Sequence, residues 1–303
     1  MQRILLFVVA ILIMWVNGFC AETSDKCLEK PEFKAKFKPS LIKGEGDHYG
    51  GALDMELSAG YYFWCGKEKE YKKKLFSEVE LNGILVTDND LNQRPIRTEA
   101  RIAGSINLSR PKIVDRGDRE GVIVVIQKGI YLGRINAGLN IGHETDQEFS
   151  NQNYTVGAEL TYVFTKHENW KALIPSFSAA YEQVGSYKSD ILDDIGIGDD
   201  NYQRFRIESS WKVLLGDYLP KLFEPLTLHL DTRYYKDFGR SDTVKAMDLD
   251  ESKYFAVSLD YTFKEPYFYD MLSGVYLKVS DGRIPPIEEN STQVYAGIIL
   301  WGK

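Results

Sequence analysis

Beyond its first twenty residues this 303-residue sequence has no apolar run long enough to cross a bilayer as a helix. A mean hydropathy of -0.30 likewise excludes a helical membrane protein. An excess of positive charge is missing too. The formal net charge is -7 at pH 7, and no basic cluster is interleaved with stacking aromatics, so no nucleic-acid partner is expected. There is no Gly-rich phosphate loop, no Cys/His zinc spacing and no G-x-S-x-G elbow. No metal site and no organic cofactor is therefore expected. Helical periodicity is almost absent as well, and cysteine is scarce, with 3 in the chain.

The one long apolar run is "MQRILLFVVAILIMWVNGFCAE". Arg3 supplies a positive start, Ile4 to Val16 an apolar core, and Gly18 and Cys20 the small residues of a cleavage site. This reads as a secretory signal peptide over 1–20. A lipid anchor on Cys20 is the alternative, and Phe19 before the cysteine disfavours it. Residues 21–31 then form an N-terminal periplasmic segment ahead of the domain at 32–303. Export leaves Cys27 and Cys65 in an oxidising compartment, where a pair commonly forms a disulfide. Two separate thiols are the other reading.

Aromatics are abundant, with 19 Tyr, 15 Phe and 5 Trp, and they fall in segments that alternate apolar and polar. In "YQRFRIESSWKV", Phe205, Ile207, Trp211 and Val213 share one face, and Arg204, Arg206, Glu208 and Lys212 the other. "KYFAVSLDYTF", "NYTVGAELTYVF" and "ALDMELSAGYYF" repeat the design. A period of two over many segments predicts strands, here at 32–42, 51–64, 75–87, 96–110, 131–144, 153–165, 171–184, 202–215, 225–238, 253–264, 274–281 and 292–301. Connections at one end are acidic and often long, as at 185–201 and 239–252; those at the other end, such as 166–170, are mostly shorter. The segment 111–130 falls where a short turn belongs, and its "VIVVI" does not alternate. It either extends the fifth strand or folds into the barrel mouth as a plug.

Alternation is common to soluble and membrane barrels, but the placement of aromatics separates them. With both termini periplasmic, Tyr61, Phe63, Tyr162, Phe164, Trp170, Trp211, Tyr261, Phe263 and Trp301 gather at the lower level, and Tyr154, Tyr181, Tyr234 and Phe255 near the other. Two aromatic belts mark two bilayer interfaces. The expected fold is therefore all-β: a transmembrane antiparallel β-barrel of about 12 strands, in a bacterial outer membrane. The same topology puts Cys27 and Cys65 at the periplasmic end, which favours their bond. The C-terminal "QVYAGIILWGK" resembles the closing strand of bacterial outer-membrane β-barrel proteins, although Gly302 and Lys303 follow the aromatic Trp301. That resemblance implies the barrel assembly machinery as a partner, beside outer-membrane lipid and lipopolysaccharide.

The inward face collects Lys34, Lys36, Lys38, Arg97, Arg101, Arg134, Arg204, Arg206, Lys212, Arg233 and Lys278 against Asp54, Glu56, Glu78, Glu80, Glu99, Glu159, Glu182, Glu208, Asp231 and Asp260. Desolvated charges must be paired. Such a lumen is either closed by ion pairs or keeps a thin path for a small polar or charged solute. The stretch "LTLHLDTRYY" shows the ambiguity: Thr227, His229, Asp231, Arg233 and Tyr235 share one strand face and look catalytic. Its other face, with Leu226, Leu228, Leu230 and Tyr234, is a lipid stripe, which assigns His229 to the lumen beside Asp231 and Arg233.

Two other readings remain. The rim stretch "IGHETDQEFSNQNY" weakly resembles outer-membrane phospholipase A, a family of twelve-strand barrels. The resemblance implies an acyl hydrolase with His143 in the histidine position and Thr145 where that family has serine, with Ser150 and Gln152 across the loop. Asp146 stands where an asparagine usually follows, and the next-strand asparagine is not found at the family's spacing. By parity His143 and Thr145 face lipid. The acidic loop with Asp190, Asp193, Asp194, Asp199 and Asp200 offers oxygen ligands of the type calcium takes, a bridge to lipopolysaccharide, without any known loop spacing. The leading expectation is a narrow channel or binding protein. The hydrolase, and a structural barrel without transport, are the alternatives.

Overall fold

A computed structural model describes residues 32–44, 48–65, 73–88, 91, 94–118, 121–163, 175–189, 193, 200–267, 272–287 and 290–302. The expected signal peptide and N-terminal segment lie outside these residues, as does Cys27, so the Cys27–Cys65 disulfide does too.

The described residues form twelve strands: β1 (Glu32–Lys43), β2 (Tyr49–Cys65), β3 (Lys73–Val86), β4 (Ile96–Asp118), β5 (Gly121–Thr145), β6 (Gln152–Val163), β7 (Ser176–Lys188), β8 (Asp200–Leu214), β9 (Leu226–Phe238), β10 (Glu251–Tyr267), β11 (Leu272–Gly282) and β12 (Ser291–Gly302). Each pairs antiparallel with its chain neighbour. β1 pairs with β12 from Ala35↔Gly302 to Lys43↔Val294, closing the barrel. Closure leaves no strand edge unpaired around the barrel wall, the condition for a sheet to sit in hydrocarbon.

The irregular segment 111–130 resolves as strand. β4 and β5 stay paired past the barrel wall, through Lys112↔Gln127 to Asp118↔Gly121. It extends both strands into a long hairpin arm, at the end where β1 begins and β12 finishes, and it is not a plug in the mouth.

The two faces of the sheet are inverted relative to a soluble barrel. Leu139 is 70% exposed, Leu41 74% and Leu160 56%, while Arg204 and Glu182 are fully buried. Tyr154, Tyr181 and Phe255 are exposed toward one end, and Tyr261 and Tyr267 toward the other. Tyr261, Phe263 and Tyr267 meet edge to face at 5.9 and 5.2 Å. Phe164 and Trp170, and the side chains of Phe63 and Trp301, lie outside the described residues. An apolar exterior with aromatic rims around a charged interior is the construction of a membrane-spanning barrel.

Leu139 sits near the middle of the lipid-facing height of β5. Leu139→Arg is expected to cost about 2–4 kcal/mol in reversible unfolding from lipid vesicles. A cost below about 0.5 kcal/mol, the usual size of a surface substitution, would show that this face does not meet hydrocarbon.

Candidate functional site

One side of the interior, along β4 to β9, is a continuous ion-pair block. Register sets it up: Arg97, Glu144 and Asn153 lie in one row across β4, β5 and β6, and Glu182, Arg204 and Asp237 in one row across β7, β8 and β9. Arg204 donates to Glu144 at 2.8 Å and to Asp237 at 3.0 Å, with its third edge on the Tyr202 hydroxyl. Arg97 bonds Glu99 and reaches Glu182 at 3.2 Å and Glu144 at 3.5 Å. Arg206 contacts Glu182 at 3.1 Å, Glu159 at 3.3 Å and Glu208 at 3.4 Å. Arg101 engages Glu78 at 2.5 Å, Glu80 at 3.2 Å and Glu159 at 3.5 Å.

Small residues on β5 and β6 make room for these long side chains. A Cβ at Gly157 would stand 2.8 Å from Glu182 Cγ, and one at Gly142 2.6 Å from Thr155 Oγ1. Glu182 can therefore lie flat across Gly157 to accept from Asn140 at 3.0 Å.

The other side, along β1–β3 and β9–β12, is more open. Lys38 donates to Asp260 at 3.2 Å, Ser258 donates to the same carboxylate at 3.0 Å, and His229 Nε2 lies 3.4 Å from it. His229 thus faces Asp260 on the neighbouring strand and not Asp231, which is taken by Arg233 at 2.9 Å. Sequence spacing favoured the i, i+2 partner, but cross-strand register delivers another carboxylate. Lys212 sits opposite His229 in register.

Lys36 and Glu56 are 3.8 Å apart. With Lys34, Glu80, Asn82, Arg94 and Arg233 they line a cavity of about 370 Å³. A second cavity of about 120 Å³ lies against Lys34, Ser58, Tyr61, Phe76, Glu78 and Arg134.

Two segments between strands enter the outer end of the barrel, and sequence reading found neither. After β3 the chain buries Leu91 among the inward residues Ile42, Ala52, Ile84, Val86 and Tyr295. Gln293 donates to the Leu91 carbonyl at 2.7 Å. Arg94 follows, buried, and donates to Asp54 at 2.6 Å, with Lys278 3.9 Å from the same carboxylate. After β11, Ile284 packs on Tyr235, Tyr254 and Ala256, and Arg283 donates to the Asp248 and Glu251 carbonyls at 2.6 and 2.9 Å. A lone leucine in a polar loop was the only available signal for the first of these.

The rim residues do not assemble a nucleophile. His143 packs in a tilted contact on Tyr154 with ring centroids 4.8 Å apart, and its Nε2 has no hydrogen-bond partner among the described residues. Thr145 is buried rather than lipid-facing, because the turn that follows folds over it, and its hydroxyl donates to the Asp146 carbonyl at 3.0 Å. The Ser150 hydroxyl donates to the Asp146 carboxylate at 2.5 Å. Gln152 donates to the Phe149 carbonyl at 2.7 Å and accepts from Tyr187. Both hydroxyls therefore serve a tight turn around Asp146 and neither is hydrogen-bonded to His143, as the acyl-hydrolase expectation would require. Of the acidic loop only Asp193 and Asp200 are described, and Asp200 is paired with Arg240 at 3.1 Å. No group of metal-ligating side chains occurs among the described residues.

The closed sheet, its apolar exterior and its charged interior define a bacterial outer-membrane β-barrel. No protein-family profile matches the sequence, and no curated protein matches it. Among solved structures, the NanC porin aligns with 89% of this chain and 100% of its own, at 9% identity and a TM-score of 0.41. The KdgM porin aligns with 88% and 99%, at 10% identity and a TM-score of 0.34. OprD from Pseudomonas aeruginosa aligns with 90% and 94%, at 9% identity and a TM-score of 0.34. These are distant likenesses, and the class assignment rests on the sheet and its two faces.

Removing one member of a buried charge network leaves its partners uncompensated. Arg204→Met is expected to destabilise the barrel by about 3–5 kcal/mol in equilibrium unfolding. Restoring neutrality with Glu144→Gln in the same chain should recover part of that loss. Strict additivity of the two changes would show that Arg204 and Glu144 are not coupled.

Proposed function

We propose that the barrel is a narrow channel or binding protein for a small polar or charged solute, which occupies the open side of the interior. The observation that carries this reading is the cavity of about 370 Å³ between Lys36, Glu56, Glu80, Arg94 and Arg233. It is of the size that small-ligand sites have, roughly 300–1,000 Å³. Lys34 and Ser58 line both this cavity and the smaller one, so the two are neighbours along β1 and β2. A barrel with a purely structural role is served by the packing on the β4–β9 side, where Arg97, Arg204 and Arg206 each contact two or more carboxylates. It would gain nothing from keeping ionised side chains of both signs around an open volume, because burying charge in a narrow interior is costly.

Arg94 is the side chain that brings the inward loop into contact with this cavity. Its bond to Asp54 at 2.6 Å ties the loop after β3 to the barrel wall. In planar bilayers the protein should give small, discrete conductance steps, and silence at every applied voltage would sink the channel reading. Arg94→Ala should raise the conductance severalfold, because Asp54 keeps Lys278 as a counter-ion while the loop loses its tie. An unchanged conductance in that variant would mean the loop does not limit passage.

A further inference from the structure

We propose that the solute taken by this cavity is a zwitterion: a compact molecule with an ammonium group at one end and a carboxylate at the other, as in an amino acid. The proposal rests on the channel-or-binding reading above and names its substrate class.

The cavity sets two carboxylates on its β2–β3 wall, between the lysines Lys34 and Lys36 of β1 and the guanidinium groups of Arg94 and Arg233. Glu56 and Glu80 stand on adjacent strands. Glu56 is in register with Asn82 and Ser58 with Glu80, so the two carboxylates are diagonal neighbours on the β2–β3 wall. Their side chains are 55% and 35% exposed, and Glu80 also accepts from Arg101 at 3.2 Å. Lys36 stands 3.8 Å from Glu56, beyond hydrogen-bond distance, so that carboxylate is left open to a closer cation. Arg94 and Arg233 form the guanidinium side of the same cavity. Each is fixed from behind by its own carboxylate: Arg94 by Asp54 at 2.6 Å, and Arg233 by Asp231 through Nε at 3.4 Å and Nη2 at 2.9 Å.

A guanidinium has five N–H donors, and these bonds use only part of each set. The remaining donors of two preset forks suit a carboxylate. Four cationic side chains and two carboxylates line the cavity, so a simple cation is disfavoured there, while a simple anion engages the arginines and leaves Glu56 and Glu80 without a further partner. A molecule with both charges satisfies both groups.

The test is calorimetric titration of the full, folded barrel in detergent with three probes of similar size: 4-aminobutanoate, butanoate and butylammonium. 4-Aminobutanoate should bind at least tenfold more tightly than either singly charged probe. Glu56→Gln with Glu80→Gln should abolish that preference by weakening 4-aminobutanoate while leaving butanoate unchanged or tighter. Arg94→Gln should weaken 4-aminobutanoate and butanoate together and leave butylammonium unaffected. Circular dichroism and heat-dependent electrophoretic mobility check that each variant is folded.

Equal binding of the three probes, tightest binding of butanoate or of butylammonium, or binding of none would overturn the zwitterion assignment. Bilayer conductance is read separately. A conducting barrel without the preference leaves the channel reading standing and removes this inference. A silent barrel that keeps the preference removes conduction and retains the site.

Discussion

Everything in this molecule depends on the pairing of β1 with β12. An open sheet of this composition has no stable place in a bilayer, because its edge amides would lack partners in hydrocarbon. Once Ala35 to Lys43 meet Val294 to Gly302 the sheet has an inside and an outside, and the period of two divides every strand between them. The outside is then constrained to be apolar, and residues such as Leu41 and Leu139 are exposed for that reason. The inside inherits whatever charge the sequence carries, in a volume too narrow to hydrate all of it. Interior ion pairs are thus a consequence of closure.

That consequence is met differently on the two sides of the interior. From β4 to β9 the arginines interlock with carboxylates on neighbouring strands, and Gly157 gives Glu182 space to lie among them. Arg204 has three partners and no exposure. A guanidinium is suited to such a place because its five donors can serve several acceptors at fixed angles. Along β1 the cations are lysines, whose single ammonium fixes fewer neighbours, and the pairing there is looser, as with Lys36 and Glu56. The lysines of β1 thus lie where the interior stays open, and arginine occurs on both sides, with Arg94 and Arg233 bordering the larger cavity.

The strands were legible in the sequence because alternation is a local signal and lipid enforces it on every segment. The side on which a residue lies followed from the same signal, as it did for His229 and Arg233. What alternation cannot supply is register, since a partner across the sheet is set by how two strands align. His229 was therefore placed on the correct side and given the wrong carboxylate: the alignment of β9 with β10 brings Asp260 near it, with Ser258 directly opposite. Thr145 was assigned to lipid by parity, and the turn around Asp146 covers it. The inward loops were invisible for a third reason. Leu91 is one apolar residue in a polar stretch, and its site exists only once Ile42, Ile84 and Tyr295 have been brought together by three separate strands.

Asp54 connects these observations. It lies on the β2 face opposite Lys38 and Ile84 in register, and it takes Arg94 from the loop and Lys278 from β11. The loop's other attachments, Leu91 in its apolar socket and Gln293 on the Leu91 carbonyl, lie toward the outer end. The loop is thus held by apolar contact above and by a charge pair below, beside the open cavity. The two fastenings respond to different agents. Apolar burial is insensitive to a polar solute, whereas a charge pair weakens when another carboxylate offers Arg94 equivalent bonds. A solute that engages Arg94 therefore acts on the lower fastening alone. If Arg94 takes the solute's carboxylate as proposed, the residue that ties the loop to the wall is also the one that holds the solute, and linkage requires occupancy of the cavity and the position of the loop to be coupled.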